Sequence, residues 1–318
     1  MRDTHNMHGE SYVAPGRDSD QPRPSLRKPP WLNKKIQYTE ERHAVKSILN
    51  RLDLSTVCKS ARCPNLSECY HHKRATFLIL GRTCTRGCAF CSVEKSGESR
   101  PFPPDPREPE RILDAVKELG LRYVVITSVT RDDLSDGGAS QFARCIELIR
   151  SHDREIRVEV LTPDFEGNRG AIDAVARAHP DVFNHNVETV PRLYSTVRSQ
   201  ADFDRSIGFL SYVGDTYPHI YLKSGLMVGL GEERDEVLQV LLDLFQAGCS
   251  AVTIGQYLQP EQGNLPVREY VTPETFAFYE REARRIGFSY VASGPYVRSS
   301  YMAHQGYDAL SKNSPHGY

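Results

Sequence analysis

Six of the eight cysteines in this 318-residue chain fall within 34 residues. They form two triplets: Cys58, Cys63 and Cys69, and then Cys84, Cys88 and Cys91. In a reducing compartment, closely spaced cysteines usually bind metal or carry out chemistry instead of forming disulfides. Cys145 and Cys249 lie apart from the triplets among apolar residues, and we expect both to be small buried hydrophobic side chains.

The second triplet has the spacing C-x3-C-x2-C and directly follows an apolar, β-prone run over residues 75–80. Three thiolates on such a short loop can each hold one iron of a cubane cluster, which leaves the fourth iron open to a small molecule. Zinc is the alternative, but structural zinc normally takes four ligands in paired units. The pattern therefore favours a [4Fe–4S] cluster with one accessible iron.

The rest of the sequence indicates the elements that must position this loop. Helices are predicted over 38–52, 110–120, 142–150, 170–178, 190–199, 203–212, 236–248 and 273–287. Strands are predicted over 75–80, 122–127, 156–161, 181–187, 219–229, 251–258 and 288–292. Apolar strands that alternate with helices predict a parallel sheet, and Gly120 is expected to end its helix. In such folds the chemistry lies at the carboxyl ends of the strands.

Composition narrows the class of protein further. The 40 basic and 41 acidic residues give a net charge of −1, which argues against a broad nucleic-acid surface because such surfaces make many phosphate contacts. Mean hydropathy is −0.50, and no apolar run reaches the roughly 18 residues of a membrane span. The polar N-terminus does not resemble a signal peptide. We expect a cytoplasmic protein with no nucleic-acid and no membrane partner.

Two motifs indicate a family resemblance. Phe90 occupies the aromatic place of C-x3-C-x-Φ-C, which resembles the signature of the radical S-adenosylmethionine (SAM) superfamily. The upstream spacing C-x4-C-x5-C, together with R-S-S-Y at 298–301, resembles the lipoyl synthase family. The resemblance runs from about Lys28 to Ala303 and includes RYVVITSVTRDDLSDGGA, DVFNHNVETVPRLY and KSGLMVGLGE.

The resemblance implies a sulfurtransferase that inserts two sulfur atoms at C6 and C8 of an octanoyl chain linked to a lysine of a carrier protein. One [4Fe–4S] cluster would bind SAM and cleave it to a 5′-deoxyadenosyl radical, and an auxiliary [4Fe–4S] cluster would donate the sulfur. The implied ligands are Cys84, Cys88 and Cys91 for the first cluster, and Cys58, Cys63, Cys69 and Ser300 for the auxiliary cluster. The implied partners are an electron donor and a lipoyl carrier, either the lipoyl domain of a 2-oxoacid dehydrogenase E2 subunit or the glycine cleavage H protein.

The R-S-S-Y motif also implies Arg298 as a catalytic residue. Neighbouring side chains of an extended segment point in opposite directions, so Ser299 and Ser300 are not expected to ligate together. The resemblance assigns the ligand role to Ser300, whereas a serine pair taken alone would be an ordinary surface feature.

Several residues beyond predicted strand ends are candidates for contact with SAM. The candidates are Phe90, Asp136, Gly137, Asn186, Glu188, Met227 and Gly229. Met227 and Gly229 belong to GLMVGLGE, which resembles an adenine-contacting element whose glycines allow close backbone approach. Loop capping and turn formation are the alternative for the candidates that lie in loops. Lys223 could meet a carboxylate or the substrate amide, or lie on the surface, and we expect His185 to be a hydrogen-bonded strand-end histidine.

These observations predict an α/β fold, a partial (β/α)6 TIM-type barrel with N-terminal and C-terminal extensions that cover its open face. A closed eight-fold barrel would need more units than the sequence provides. The predicted segments are a flexible arm (1–30), an extension carrying the auxiliary cysteines (31–75), the barrel (76–292) and a C-terminal segment with R-S-S-Y (293–318). Trp31, the only tryptophan, is expected to pack onto the domain.

Three other functions remain open at the level of the sequence. The first is another radical SAM enzyme that inserts sulfur, similar to biotin synthase or to a methylthiotransferase. The second is an iron–sulfur electron carrier, in which every iron would be protected by cysteine. The third is a family member that keeps the fold and acts only as a scaffold.

Overall fold

A computed structural model of the chain describes residues 26–34, 38–97, 99 and 101–313. Residues 1–25, most of the predicted flexible arm, lie outside the described residues. The first element described is a 3₁₀ turn, Pro30–Leu32. Leu32 is fully buried, whereas Trp31 leaves 41% of its surface exposed. Trp31 therefore packs onto the domain with part of its surface, and Leu32 is the residue of this turn that enters the interior.

Ten strands are found in the part of the chain that the structure describes. They are β1 (Ser55–Thr56), β2 (Thr76–Ile79), β3 (Thr83–Cys84), β4 (Glu94–Lys95), β5 (Tyr123–Ser128), β6 (Arg157–Leu161), β7 (Val182–Asn184), β8 (Tyr221–Val228), β9 (Ala251–Gln256) and β10 (Tyr290–Gly294). Eight of them form one sheet in the order β1-β2-β5-β6-β7-β8-β9-β10. Only β1 is antiparallel to its neighbour. The two short strands β3 and β4 pair with each other beside the second triplet.

The helices of the described residues lie before, between and after the strands of this sheet. They are α1 (Glu40–Arg51), α2 (Val57–Ser60), α3 (Leu66–His71), α4 (Glu108–Leu119), α5 (Ala139–His152), α6 (Arg169–Arg177), α7 (Tyr194–Val197), α8 (Phe203–Thr216), α9 (Arg234–Gln246), α10 (Pro273–Ile286) and α11 (Ala303–Asn313). Six of the longer ones, α4, α5, α6, α8, α9 and α10, connect successive parallel strands. Gly120 ends α4 as expected, because its left-handed φ of 64° breaks the helix.

The sheet curls into an open barrel. Tyr307 of α11 packs against Tyr123 of β5 and Tyr221 of β8, with ring centroids 6.1 and 5.9 Å away, although two strands separate β5 from β8. Arg157 of β6 lies 5.4 Å from the same ring. Each of these partners is the first residue of its strand. Helix α11 therefore covers the amino ends of the strands, opposite the carboxyl ends, where the loop with Cys84, Cys88 and Cys91 lies.

Two expectations about helices differ from the structure. The sequence after Ala303 is polar and gave no structural prediction, yet Ala303–Asn313 form α11. The helix expected over 190–199 is reduced to a 3₁₀ turn and the four residues of α7. This region unwinds because Pro191 opens the turn and the Val197 carbonyl accepts a hydrogen bond from Ala89 instead of continuing a helix.

One hydrophobic core runs through the N-terminal helices and the barrel. It includes Val45 and Leu49 of α1 and Tyr70 of α3 together with strand residues from Phe77 to Val291. Cys145 and Cys249 are buried as expected. None of the helices in the described residues combines the length and the apolar character that crossing a bilayer requires.

Candidate metal centre

The second cysteine triplet lies on the loop that follows the carboxyl end of β2, and three other parts of the chain hold this loop. The Thr130 amide, just beyond β5, donates to Cys84 Sγ at 3.3 Å. The Ala89 amide donates to the Val197 carbonyl of α7 at 2.9 Å. Asn264 Nδ2, beyond β9, donates to the Ala89 carbonyl at 3.1 Å. The loop is thus fixed at the carboxyl end of the barrel, where chemistry was expected.

A buried ion-pair network holds the same loop through Arg86, which lies between Cys84 and Cys88 in the sequence. Arg86 Nε donates to Asp132 Oδ2 at 2.7 Å, and its Nη2 donates to Asp164 Oδ1 at 2.6 Å. Arg205 Nε reaches the other oxygen of Asp164 at 2.9 Å. Burial alone would raise the pKa of the Asp164 carboxyl, but the hydrogen bonds and charge of Arg86 hold it well below its usual range. Sequence reasoning missed Arg86, because its partners lie 46 and 78 residues away.

The first triplet lies on two short helices packed beside the barrel. Cys58 belongs to α2, Cys63 follows that helix, and Cys69 belongs to α3. Burial, followed by the nearby charge of Cys63, raises the pKa of the Cys58 thiol to about 11. Burial, followed by the charges of Cys58 and Cys63, raises the pKa of Cys69 to about 12. The three thiols therefore lie close enough to repel one another as thiolates, and a bound cation would relieve that repulsion.

The second triplet has the same electrostatic character. Burial, followed among charged groups by Cys88 and Cys84, raises the pKa of the Cys91 thiol to about 12. Among the residues that the structure describes, no three His, Cys, Asp or Glu side chains converge closely enough to hold a single metal ion. Closely spaced thiols that repel one another as thiolates fit a cluster whose irons each take one thiolate.

The C-terminal segment, residues 295–302, runs from β10 across the first triplet to α11. Asn65 Nδ2 donates to the Tyr296 carbonyl at 2.7 Å. Tyr301 donates its hydroxyl proton to Glu68 Oε1 at 2.7 Å, and Lys34 pairs with the other oxygen of Glu68 at 2.7 Å. These residues flank the cysteines of the first triplet, so the segment is held to the same short helices as the thiols.

The two serines of this segment have different surroundings. The Tyr301 amide donates to the Arg298 carbonyl at 2.9 Å, so both serines lie inside a tight turn and not in the extended segment assumed above. Ser299 Oγ donates to Asn186 Oδ1 at 2.8 Å. Ser300 lines a cavity together with all three cysteines of the first triplet. Turn geometry, not strand alternation, separates the two side chains.

Two cavities, of about 370 and 330 Å³, meet at the first triplet. Both are lined by Cys58, Cys63, Arg298 and Ser300. Cys69 lines the larger cavity only, and Cys91 of the second triplet lines the smaller one. The smaller cavity therefore joins the two triplets, with Cys84 and Cys88 on the same loop as Cys91.

The positively charged side chain of Arg298 lies near two acidic groups, Cys63 and Glu188, where the two cavities meet. Burial lowers the pKa of its guanidinium group, while the neighbouring charges of Cys63 and Glu188 act in the opposite direction. Such a buried cation beside thiols can stabilise the negative charge of a thiolate-bound cluster.

Four of the residues expected to contact SAM line the smaller cavity: Phe90, Asn186, Glu188 and Met227. Asn186 Nδ2 donates to Glu188 Oε1 at 3.1 Å. Burial raises the pKa of Glu188, whose backbone adopts a left-handed φ of 66°. A strained, half-buried carboxylate that faces a cavity can bind a polar or cationic group.

Asp136, Gly137 and Gly229 were also expected to contact SAM, but they do not line this cavity. The Asp136 carboxylate accepts hydrogen bonds from the amides of Gly138 and Ser140, both at 2.9 Å, and so caps the start of α5. A Cβ at Gly137 would meet the Phe165 ring at 2.8 Å. Both residues thus take part in the turn that precedes α5, and their contact with SAM stays a prediction.

Gly229 allows a close backbone approach, as predicted, but to the protein itself. A Cβ there would lie 2.2 Å from Gln256 Nε2 and 2.4 Å from the Glu269 carbonyl. Its amide donates to Glu232 Oε1 at 2.5 Å. Gly229 therefore lets the loop after β8 pack onto β9, and Glu232 ties that loop down.

The structure also shows the burial and the partners of two further residues, His185 and Lys223. His185 is buried, its Nδ1 donates to the Thr162 carbonyl at 2.9 Å, and its Nε2 lies 3.0 Å from Ser206 Oγ, which confirms the hydrogen-bonded histidine. Lys223 is also buried and pairs with Glu159 at 2.8 Å. The surface alternative for Lys223 was therefore wrong.

Two further residues at the site escaped sequence reasoning. Arg198 Nη1 donates to the Asn186 carbonyl at 2.9 Å, and its Nε is buried without a hydrogen-bond partner. Gly255 of β9 faces the C-terminal segment, because a Cβ there would lie only 2.2 Å from the Val297 carbonyl. No local pattern marks either residue, since their partners are distant in sequence.

Comparison with known proteins gives two findings about sequence. The profile of the Radical SAM superfamily matches residues 78–244. Curated relatives named lipoyl synthase include one from Caldanaerobacter subterraneus subsp. tengcongensis, 52% identical over 89% of this chain and 98% of the relative. Another, from Geobacter sp. strain M21, is 50% identical over 92% of this chain and 98% of the relative. A third, from Methylococcus capsulatus, is 51% identical over 90% and 88%.

Solved structures support the fold alone. The crystal structure of Streptococcus suis SuiB bound to precursor peptide SuiA superposes with a TM-score of 0.53 at 13% identity, over 72% of this chain and 52% of that chain. Methylornithine synthase (PylB) superposes with a TM-score of 0.50 at 13% identity, over 83% of this chain and 85% of that chain. This chain therefore shares its α/β fold with both of these structures.

Proposed function

This chain belongs to the lipoyl synthase family of the radical SAM superfamily, and we propose that it inserts two sulfur atoms at C6 and C8 of an octanoyl chain linked to a carrier lysine. One observation carries this proposal. The smaller cavity is lined by residues of both thiol triplets and by Ser300 of the R-S-S-Y turn. A radical enzyme with one cluster would need only one of these triplets.

The predicted ligands are assigned in two sets. We assign Cys84, Cys88 and Cys91 to a SAM-binding [4Fe–4S] cluster, and Cys58, Cys63, Cys69 and Ser300 to an auxiliary [4Fe–4S] cluster. When bound, these clusters and SAM supply an electron, a hydrogen-abstracting radical and sulfur for carbons that no side chain can deprotonate. A serine oxygen is a harder ligand than a thiolate and is easier to release from iron. That property suits a cluster that gives up its sulfur.

The residues of the smaller cavity divide into polar and apolar contacts. Asn186 and Glu188 are proposed to bind the polar groups of SAM, and Phe90 and Met227 to pack against it. An eight-carbon chain needs apolar surface from which water is excluded. Four further lining residues supply that surface: Leu161, Leu226, Leu258 and Val297.

Each of three segments of the chain is proposed to have its own role. Residues 31–75 provide the auxiliary thiols, 76–292 form the radical SAM barrel, and 293–318 provide the R-S-S-Y turn. The arm over 1–30 is left without a role. The carrier is proposed to be a lipoyl domain of a 2-oxoacid dehydrogenase E2 subunit or the glycine cleavage H protein, with a separate electron donor, in the cytoplasm.

The direct test is the mass of a model substrate. Protein reconstituted anaerobically with iron and sulfide is incubated with SAM, a reductant and an octanoyl-lysine peptide. We expect the peptide to gain two sulfurs and to carry them as a dithiol, because two C–H bonds become C–SH groups and the reductant keeps the thiols reduced, with formation of 5′-deoxyadenosine. 5′-Deoxyadenosine without any change in the peptide would contradict the proposed substrate.

Three cysteine variants separate the two triplets in the same assay. Cys58→Ala is expected to retain SAM cleavage and to lose sulfur insertion, whereas Cys88→Ala is expected to lose both. Cys145→Ala, which changes a buried cysteine outside the triplets, is the matched control and should keep both. Equal loss of SAM cleavage in Cys58→Ala and Cys88→Ala would overturn the division of labour.

A further inference from the structure

A buried ion pair crosses the interior of the barrel beside the C-terminal segment. Lys223 of β8 and Glu159 of β6 are separated by 2.8 Å, and their residues are 3% and 1% exposed. Removing two charges from water is costly, and their attraction offsets that cost only when further hydrogen bonds complete the site. The partners of this pair therefore indicate what it does.

The partners of Glu159 all belong to the barrel. Its Oε1 accepts a hydrogen bond from Asn184 Nδ2 at 3.1 Å, in addition to the one from Lys223. Its Oε2 accepts a hydrogen bond from the Tyr123 hydroxyl at 2.7 Å. Three neighbouring strands, β5, β7 and β8, thus hold this carboxylate in one place.

Lys223 makes a contact that leaves the sheet. Its Nζ donates to the Ser299 carbonyl at 2.6 Å, within the tight turn that also contains Ser300. A charged donor makes a stronger bond than a neutral one. The ammonium group therefore connects the rigid interior of the barrel with the backbone of the R-S-S-Y turn.

Close packing on β8 holds the same turn. Ser299 Oγ donates to Asn186 Oδ1 at 2.8 Å. A Cβ at Gly225 would lie 3.1 Å from both of these oxygens, so the glycine leaves just enough space for them. With the carbonyl and the side chain of Ser299 both fixed, Ser300 has little freedom relative to the first triplet.

We propose that Lys223 is a positioning residue, which holds the Ser299 carbonyl so that the turn presents Ser300 to the first cysteine triplet. Glu159 orients the ammonium group and compensates its charge. The inference rests on the proposed role of Ser300 as a ligand. A purely structural role, in which Lys223 only neutralises Glu159, would leave Ser300 unaffected.

The test uses cyanide as a probe of the iron that Ser300 would hold. The full-length chain carries alanine at Cys84, Cys88 and Cys91, so that only the auxiliary cluster contributes to the EPR spectrum of the reduced protein. We expect cyanide to leave the spectrum of this parent unchanged and to shift it in Lys223→Met and in Ser300→Ala. Arg150→Met, which removes a cation of α5 that is bound to Asp181 just before β7, is the matched control and should not shift.

Two further variants separate positioning from charge compensation. Glu159→Gln keeps an oxygen for Lys223 and should remain insensitive to cyanide. Glu159→Gln combined with Lys223→Met leaves no unpaired buried charge, so it should fold and should respond to cyanide. Cyanide sensitivity in Glu159→Gln would overturn the inference, because it would make charge compensation the decisive role.

Hydrogen exchange provides a second readout that does not depend on activity. In the cluster-loaded protein we expect amides of residues 299–302 to exchange about tenfold faster in the double variant, the factor that corresponds to about 1.4 kcal/mol. Unchanged exchange together with an unchanged cyanide response would overturn the inference and leave the proposed function standing. A cyanide-insensitive Ser300→Ala cluster would instead overturn the ligand role itself.

Discussion

His185 shows how burial fixes the protonation of a single side chain near the candidate centre. Burial, followed by the charge of Arg198, lowers its pKa from 6.5 to about 4. In the unfolded chain the same imidazole binds a proton below about pH 6.5. Between those two values the unfolded state binds more protons, so His185 makes the folded state less stable as the pH falls.

This shift predicts a measurable pH dependence. We expect the His185 contribution to lower the free energy of unfolding by about 2 kcal/mol between pH 7 and pH 5. Urea unfolding of the wild type and of His185→Gln at both pH values measures the difference. His152→Gln, at an exposed position on α5, is the control. An equal pH dependence in wild type and His185→Gln would contradict the prediction.

At the scale of elements, the candidate centre depends on how the C-terminal segment packs onto the sheet. The segment passes so close to β9 that only glycine fits at position 255. A Cβ there would lie 2.2 Å from the Val297 carbonyl and 3.1 Å from Arg298 Nη1. The first of these atoms is backbone, which has little freedom to move aside.

Gly255→Ala is therefore expected to displace the C-terminal segment from the first triplet. The added methyl group costs about 1–3 kcal/mol through overpacking, and moving the segment relieves that strain. Iron bound per chain should fall toward half after reconstitution, while the far-UV circular dichroism remains native. Gly263→Ala is the matched control, because no atom lies within 4 Å of the added Cβ. Full iron content in Gly255→Ala would show that the segment tolerates the displacement.

At the scale of the whole molecule, the N-terminal extension and the barrel share one core. Val45 and Tyr70 pack in the same cluster as strand residues of the sheet. The segment 31–75 is therefore distinguished by its proposed role, not by a separate core. A shared core of this kind favours one cooperative unfolding transition.

The fluorescence of the single tryptophan can test whether the extension and the barrel unfold together. Trp31 lies at the start of the extension and is partly exposed, so its fluorescence reports on that region, whereas far-UV circular dichroism reports mainly on the barrel. We expect the two signals to give the same urea midpoint. A fluorescence transition at clearly lower urea would indicate that the extension unfolds on its own.

Local sequence patterns predicted the two cysteine triplets as cluster sites and most of the secondary structure. The spacing of two cysteine triplets is a property of neighbouring residues, and it predicted two clusters before any fold was known. Alternating apolar strands and helices predicted a parallel sheet, because backbone periodicity and burial leave a direct pattern in the chain. The pattern favoured an open barrel over a doubly wound sheet, and the curl of the sheet decided between the two. The seven predicted parallel strands are present, with boundaries that differ by a few residues.

The tertiary structure alone decided which distant residues meet. Lys223 contacts Glu159 and Ser299, which lie 64 and 76 residues away, and the turn that separates Ser299 from Ser300 replaces the extended segment expected there. Asp136 proved to cap a helix, and α11 proved to cover the amino ends of the strands. These contacts follow from strand register and from the curl of the sheet, which bring side chains together regardless of their distance along the chain. Residue type and spacing therefore determined the chemistry, whereas packing decided which groups position it.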